Sequence, residues 1–276
     1  MTDPLEQYSF GRFLKHWRHQ RGMSQLTLAC ESEISQRHIS FLESGRSQPS
    51  HEMVLRLARV LDIPLRQQNL MLTAAGFPPV YSDYDLSAPE LGTIRQALDY
   101  LLHQQDPYPA LVMDRYWTVL EANQGTYRLL RGLMGSDLDR FASPLNVMEL
   151  MVDPQGLRPY VEDWDSIRVW LLEKLQDNQV TEVNDSRFKS LRQELETQQN
   201  KASGEAIAPI LGGQLPVLPI TFVKADRRLS FFSIISTLGT PQDITLQELR
   251  VESLFPMDKE TAEIMQDWEG DRPSRD

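Results

Sequence analysis

The residue pattern predicts a two-domain chain: an all-α unit of five short helices, then an α+β unit built on an antiparallel sheet. Three observations lead there. Helix-capping residues and apolar positions at helical spacing recur from Phe10 to Gly76. A run of prolines, Pro78, Pro79, Pro89, Pro107 and Pro109, then interrupts the chain. Beyond it the order strand, strand, helices, three strands describes one sheet of about five strands with helices on one side. This gives a first domain over residues 1–80, a linker with a connecting helix over 81–108, and a second domain over 109–276.

The first helix is set by Phe10, Phe13, Leu14 and Trp17 at i, i+3, i+4 and i+7, with Arg12, Lys15, His16 and His19 opposite. Gly22 ends it. Ser24 stands as N-cap for Gln25 to Cys30, and Ser35 as N-cap for Gln36 to Leu42, which closes on Ser44-Gly45. Pro49-Ser50 opens a fourth helix with Met53, Val54, Leu57 and Leu61 on one face, and Pro64 precedes a fifth that ends at Gly76. The connecting helix runs from Leu91 to His103. In the second domain, Ala110 to Met113 and Trp117 to Ala122 flank Asp114-Arg115-Tyr116 as a hairpin. Asn123 to Met134, Val161 to Gln176 and Asp185 to Gln198 have helical spacing. Val217 to Val223, Leu229 to Leu238 and Ile244 to Leu254 are β-rich, and Asn200 to Gly213 reads as a mobile polar loop.

Charge separates the two parts. The chain of 276 residues has a net charge of −11, but residues 1–80 carry nine Lys and Arg against seven Asp and Glu. The excess acid lies in the remainder, so the overall sign does not exclude a nucleic-acid partner. No apolar run approaches the ~20 residues needed to span a bilayer, and Met1 to Phe10 lacks the basic start and apolar core of a signal peptide, so no membrane insertion and a cytoplasmic protein are expected. The single cysteine, Cys30, excludes an intrachain disulfide and reads as a small buried residue of the first domain's core.

Gln25 to Leu42 has the form of a helix-turn-helix. Ala29 lets the two helices cross closely, and Leu28, Ile34, Ile39 and Leu42 supply their shared core. Gln36, Arg37 and Ser40 project from the second helix away from that core. Such a helix fits the major groove of double-stranded DNA, where Arg pairs bidentately with guanine and Gln with adenine, each worth ~1–3 kcal/mol of discrimination. Gln25, Arg46, Ser47 and His38 are the candidate phosphate contacts, and Arg18 with Glu43 forms a structural ion pair.

These residues, from Arg18 and Gly22-Met23-Ser24-Gln25 through Ile34 to Arg46 and Pro49-Ser50, resemble the XRE/Cro-type repressor helix-turn-helix. One departure is Glu33, where many such turns carry Gly; left-handed dihedrals there would cost roughly 1–2 kcal/mol. In the second part, Pro109 to Asn123, Asn146 to Arg158, Phe231 to Leu246 and Glu252 to Pro256 resemble the MmyB-like regulators. That resemblance implies a PAS-like C-terminal domain that binds a small ligand, with a fatty acid as one candidate.

A curved sheet under helices encloses a hollow suited to a small apolar ligand. Trp117, Trp164, Phe222, Phe231 and Phe232 are its candidate lining, and Asn123 or Arg158 the candidate anchor for a polar head. No catalytic residues, metal ligands or bound cofactor are expected. The second part holds one histidine, His103, in the connecting helix, and no Gly-rich phosphate loop or His/Cys cluster with metal spacing. The expected protein is a ligand-responsive DNA-binding transcription regulator acting as a homodimer. The alternative is a DNA-binding protein whose acidic domain serves dimerisation and protein contacts without a small ligand.

Overall fold

The structure, a computed structural model, describes residues 9–178, 186–197 and 219–270. It divides into two compact units: residues up to 85 together with 239–247, and residues 86–238 together with those from 248 onward.

In the first unit α1 (Phe10–Gln20), α2 (Gln25–Ser32), α3 (Gln36–Glu43), α4 (His51–Val60) and α5 (Leu65–Ala74) follow one another with short connections. The caps are local and side-chain based. Ser24 Oγ accepts from the Thr27 amide at 3.0 Å, Ser35 Oγ from His38 at 3.3 Å, and Ser50 Oγ from Met53 at 3.3 Å, each satisfying an amide that the first helical turn leaves unpaired. Leu14, Trp17, Leu28, Ile39, Leu42, Val54 and Leu57 are buried together, each aliphatic side chain worth about 1.5–3 kcal/mol relative to exposure. Gly11 makes the packing of α1 on α3 possible, because a Cβ there would lie 2.6 Å from the Leu42 carbonyl oxygen and 2.7 Å from that of Glu43.

Cys30 corrects its expectation: it is exposed. At about 100° per residue, the helix that buries Leu28, Ala29 and Ser32 turns position 30 outward. Glu33, which ends α2, has φ 56° and ψ 33°, the left-handed conformation that would suit glycine.

From residue 86 onward the elements are α6 (Gly92–Gln105), β1 (Ala110–Met113), β2 (Val119–Ala122), α7 (Gln124–Met134), α8 (Val147–Val152), α9 (Trp164–Asn178), α10 (Ser186–Thr197), β3 (Pro219–Lys224), β4 (Arg227–Ser236), α11 (Ile244–Glu248), β5 (Arg250–Pro256) and α12 (Lys259–Gly270). The five strands form one sheet in the order β2-β1-β5-β4-β3, antiparallel throughout. Leu111 of β1 stands between Ala122 of β2 and Glu252 of β5, and Ile220 of β3 faces Phe231 of β4. Because side chains alternate along a strand, these residues share one face of the sheet. Leu129, Leu130, Leu133, Leu150, Met151, Ile167 and Leu171 come from the helices to the same core.

Two strand expectations change. Ile244 to Glu248 is helical, since Asp243 caps it through Oδ1 to the Leu246 amide at 3.2 Å, so the strand begins at Arg250. Trp117 lies in the β1–β2 turn at φ 64°, and β2 begins at Val119. The expected loop at Asn200 to Gly213 lies outside the described residues.

Residues 239–247 connect β4 to β5 yet belong to the first unit. The Ile244 amide donates to the Ser82 carbonyl at 2.8 Å, Asp243 Oδ2 accepts from the Tyr84 amide at 3.2 Å, and Gln247 Oε1 accepts from the Leu65 amide at 2.7 Å.

Candidate functional site

Within the first unit, Gln36 and Arg37 are exposed at the capped N-terminal end of α3, with Ser40 one turn further on and half-buried. The guanidinium carbons of Arg37 and Arg46 lie 5.3 Å and 6.0 Å from the Phe41 ring centroid. One aromatic ring therefore carries both guanidinium groups on cation–π contacts and holds them beside α3. Ser47, half-buried, donates its amide to the Phe41 carbonyl at 3.3 Å.

The ion pair behind this face is buried. Arg18 Nε meets Glu43 Oε1 at 2.6 Å and its Nη2 meets Oε2 at 3.0 Å, with side-chain exposures of 8% and 4%. Gln25 Nε2 also donates to Glu43 Oε2, at 2.8 Å, so its amide group is held against the carboxylate. Burial pushes the Glu43 carboxyl up, but hydrogen bonds from Arg18 and Gln25 and the positive charges of Arg18 and Lys15 outweigh it and leave its pKa below the ordinary value. His38, half-buried, lines a surface hollow together with Ile34, Ser50 and Met53, and its Nε2 has no hydrogen-bond partner among the described residues.

In the second unit an apolar cavity of about 90 Å³ lies between the sheet and the helices. Leu111, Val119, Ala122, Ile220, Phe222 and Leu254 wall it from the sheet, and Leu129, Leu130, Leu150, Met151, Trp170 and Leu171 from the helices. Trp117 joins them, packed edge-on against Trp170 with ring centroids 6.1 Å apart. Its left-handed backbone, costly for an aromatic residue, is held by the Trp117 amide donating to Asp114 at 3.1 Å and by its carbonyl accepting from Val147 at 2.9 Å.

Of the residues expected to line the cavity, Trp117 and Phe222 do so; the others have different surroundings. Phe231 is fully buried in the core beside it. Phe232 pairs with Phe255 across β4 and β5, with rings stacked at 5.4 Å, and belongs to the opposite face of the sheet, as alternation requires of a neighbour of Phe231. Arg158 and Trp164 stack on each other at 5.3 Å, away from the wall. Asn123 is the N-cap of α7: its Oδ1 accepts from Thr126 at 3.0 Å and Ala110 at 2.9 Å, and its Nδ2 donates to the Leu102 and Tyr108 carbonyls. Its amide is committed to holding α6, β1 and α7 together. A wall residue that the sequence alone did not point to is Glu252, an acid at the same strand parity as Leu254.

Capped α3 with its exposed polar face, and an enclosed apolar cavity in a separate unit, define a helix-turn-helix DNA-binding regulator carrying a ligand-binding domain. Comparison with protein families agrees. The family model described as "MmyB-like transcription regulator ligand binding domain" matches residues 94–267, and one described as "Helix-turn-helix domain" matches residues 9–70. The chain belongs to the MmyB-like family and is a DNA-binding transcription regulator. Among curated proteins, none matches the chain. No described helix is long and apolar enough to cross a membrane.

Proposed function

We propose that this regulator is cytoplasmic, binds a two-fold-related DNA site as a homodimer, and changes its DNA affinity when a small apolar molecule, a fatty acid being one candidate, enters the cavity of the second unit. The observation that carries the DNA half is the exposure of Gln36 and Arg37 at the N-terminal end of α3, with Arg46 stacked on the same Phe41 ring. In this reading Gln36, Arg37 and Ser40 meet base edges while Arg46, Ser47 and the α2 N-terminus at Gln25 meet phosphates. One such unit makes few contacts, and a second copy turns the second half-site encounter into an intramolecular one. The acid in the remainder of the chain repels phosphate, which favours discrimination over non-specific binding.

The ligand half is supported by a cavity whose wall is apolar apart from a few groups. Its volume of about 90 Å³ is below the ~300 Å³ of an ordinary ligand pocket, so in this reading a ligand enters by displacing wall side chains. Covalent continuity supplies a route for the response. Glu252 and Leu254 of β5 wall the cavity, and residues 239–247, just before β5, are hydrogen-bonded into the helical unit. A ligand can act on DNA binding only through a difference in its affinity for the two arrangements of that connection. Calorimetry of the full chain with its selected DNA, with and without a lipid extract, tests the reading. A changed Kd supports it, and an unchanged Kd despite ligand uptake removes the sensing half.

A second reading, a protein-interaction module, is favoured by Tyr100, Leu101 and Ile234, which are 64%, 51% and 47% exposed. Native mass spectrometry separates the two: a co-purifying small molecule supports the sensor, and a cavity that takes up nothing from the extract supports the module.

A further inference from the structure

The last turn of α3 gathers the DNA face around one aromatic residue. Phe41, half-buried, lies one helical turn beyond Arg37, and its ring centroid is 5.3 Å from the Arg37 guanidinium carbon and 6.0 Å from that of Arg46. The Phe41 carbonyl accepts from the Arg46 amide at 2.9 Å, the Ser47 amide at 3.3 Å and the Ser44 hydroxyl at 3.2 Å. The turn that carries Arg46 is thereby closed back onto the residue whose ring meets both guanidinium groups. Among the described residues neither guanidinium has a carboxylate partner. Glu43, on the same turn of α3, is committed to Arg18 and Gln25.

The kind of support has a chemical consequence. A carboxylate would fix a guanidinium by occupying its N–H donors, and would place a negative charge beside the phosphate backbone. An aromatic face attracts the cation with no acceptor oxygen and no charge, which leaves the N–H donors for guanine or phosphate oxygens. Holding one long side chain in its bound pose before contact is worth about two- to tenfold in affinity.

We propose that Phe41 is a positioning residue for DNA recognition: its ring holds Arg37 in the pose that reads a base edge and Arg46 in the pose that meets a phosphate, and reads no base itself. The inference rests on the assignment of Arg37 to bases and Arg46 to phosphates.

The test is a set of titrations of the full chain with selected and random DNA at several salt concentrations. Phe41→Leu should weaken binding to selected DNA about tenfold, because both arginines are released, and to random DNA about threefold, because only Arg46 is engaged there. The salt slope should stay within about half a unit of that of the unaltered protein, since both charges remain. Phe41→Tyr keeps an aromatic face and should hold both affinities within about twofold. With Arg37 and Arg46 both replaced by alanine, Phe41→Leu should cost less than about twofold. A loss that persists undiminished in that background would show a direct DNA contact or a packing role and overturn the proposal, as would tighter binding by Phe41→Leu. Equal losses on selected and random DNA for Arg37→Ala would remove the assignment beneath the proposal and this inference with it. In the free, unaltered protein the Nε–H order parameters of Arg37 and Arg46 should exceed about 0.6. A lower value for either would show a mobile guanidinium and overturn the proposal even where Phe41→Leu misfolds.

Discussion

Glu43→Ala is expected to unfold the helical unit selectively. In the folded protein the Glu43 carboxylate takes two hydrogen bonds from Arg18, at 2.6 Å and 3.0 Å, and one from Gln25 at 2.8 Å, between side chains only 8% and 4% exposed. Truncation leaves the Arg18 guanidinium buried, with the Met23 carbonyl at 2.8 Å among its remaining partners. Removing one member of a buried pair in this way costs about 3–5 kcal/mol, because the surviving charge is uncompensated. For a unit of this size that is a fall in Tm of more than about 10 °C. The pH dependence has a definite sign. The Glu43 pKa is lowered on folding from 4.5, so its contribution is fully present above that value and is lost as pH falls through the lower folded pKa. Hydrogen exchange of the α1 and α3 amides in the full chain, followed from neutral pH down to about pH 3, reads both effects locally. The variant should show faster exchange at neutral pH and a smaller further loss on acidification. A cost below about 1 kcal/mol, or an acid response equal to that of the unaltered protein, would refute the assignment of a buried, stabilising pair.

Three other outcomes are expected. Arg37→Ala should lose about 1–3 kcal/mol on selected DNA and much less on random DNA, whereas Arg46→Ala should weaken both alike and reduce the salt slope by about one, as measured by titrations at several salt concentrations. Glu33→Gly relieves left-handed backbone at φ 56° and should stabilise by about 0.5–1 kcal/mol after glycine's own entropy cost, seen as a higher urea midpoint with unchanged m-value. Asp243→Ala removes the acceptor for the Tyr84 and Leu246 amides and should leave ligand binding intact while shrinking the ligand's effect on DNA affinity; an unchanged effect would exclude this connection as the route.

The helical unit was legible because its determinants are local. A serine oxygen three residues before a waiting amide, as at Ser24, Ser35 and Ser50, and a stripe such as Leu14 and Trp17 specify a helix with little help from the rest of the chain. Even the strained Glu33 could be anticipated from its place in the turn. The buried side of α2 was less legible, and Cys30 went to the wrong face because composition rather than angle suggested its burial.

The second unit depended on partners far away in sequence. Phe231 and Phe232 cannot both face the helices, and only the pairing of β4 with β3 and β5 decides which one does. Asn123 looked like a free polar group because its partners, Ala110, Leu102 and Tyr108, gather around it only after folding. Arg158 satisfies itself on Trp164 for the same reason. Residues 244–248 have strand-like composition, but Asp243 supplies a cap and the chain turns helical. The inward face of Glu252 was not legible because it is set by the register of β5 against β1 and β4, where it stands between Leu111 and Ile235.

The most direct measurement is selection of bound sequences from a random DNA pool by the full-length protein, run in parallel with its Arg37→Ala variant and with and without a lipid extract. The account predicts an enriched two-fold-related motif, a recovery that changes with the extract, and relaxed preference at one base pair per half-site in the variant. Absence of enrichment by folded protein, or the same motif undiminished in Arg37→Ala, would contradict base reading by α3.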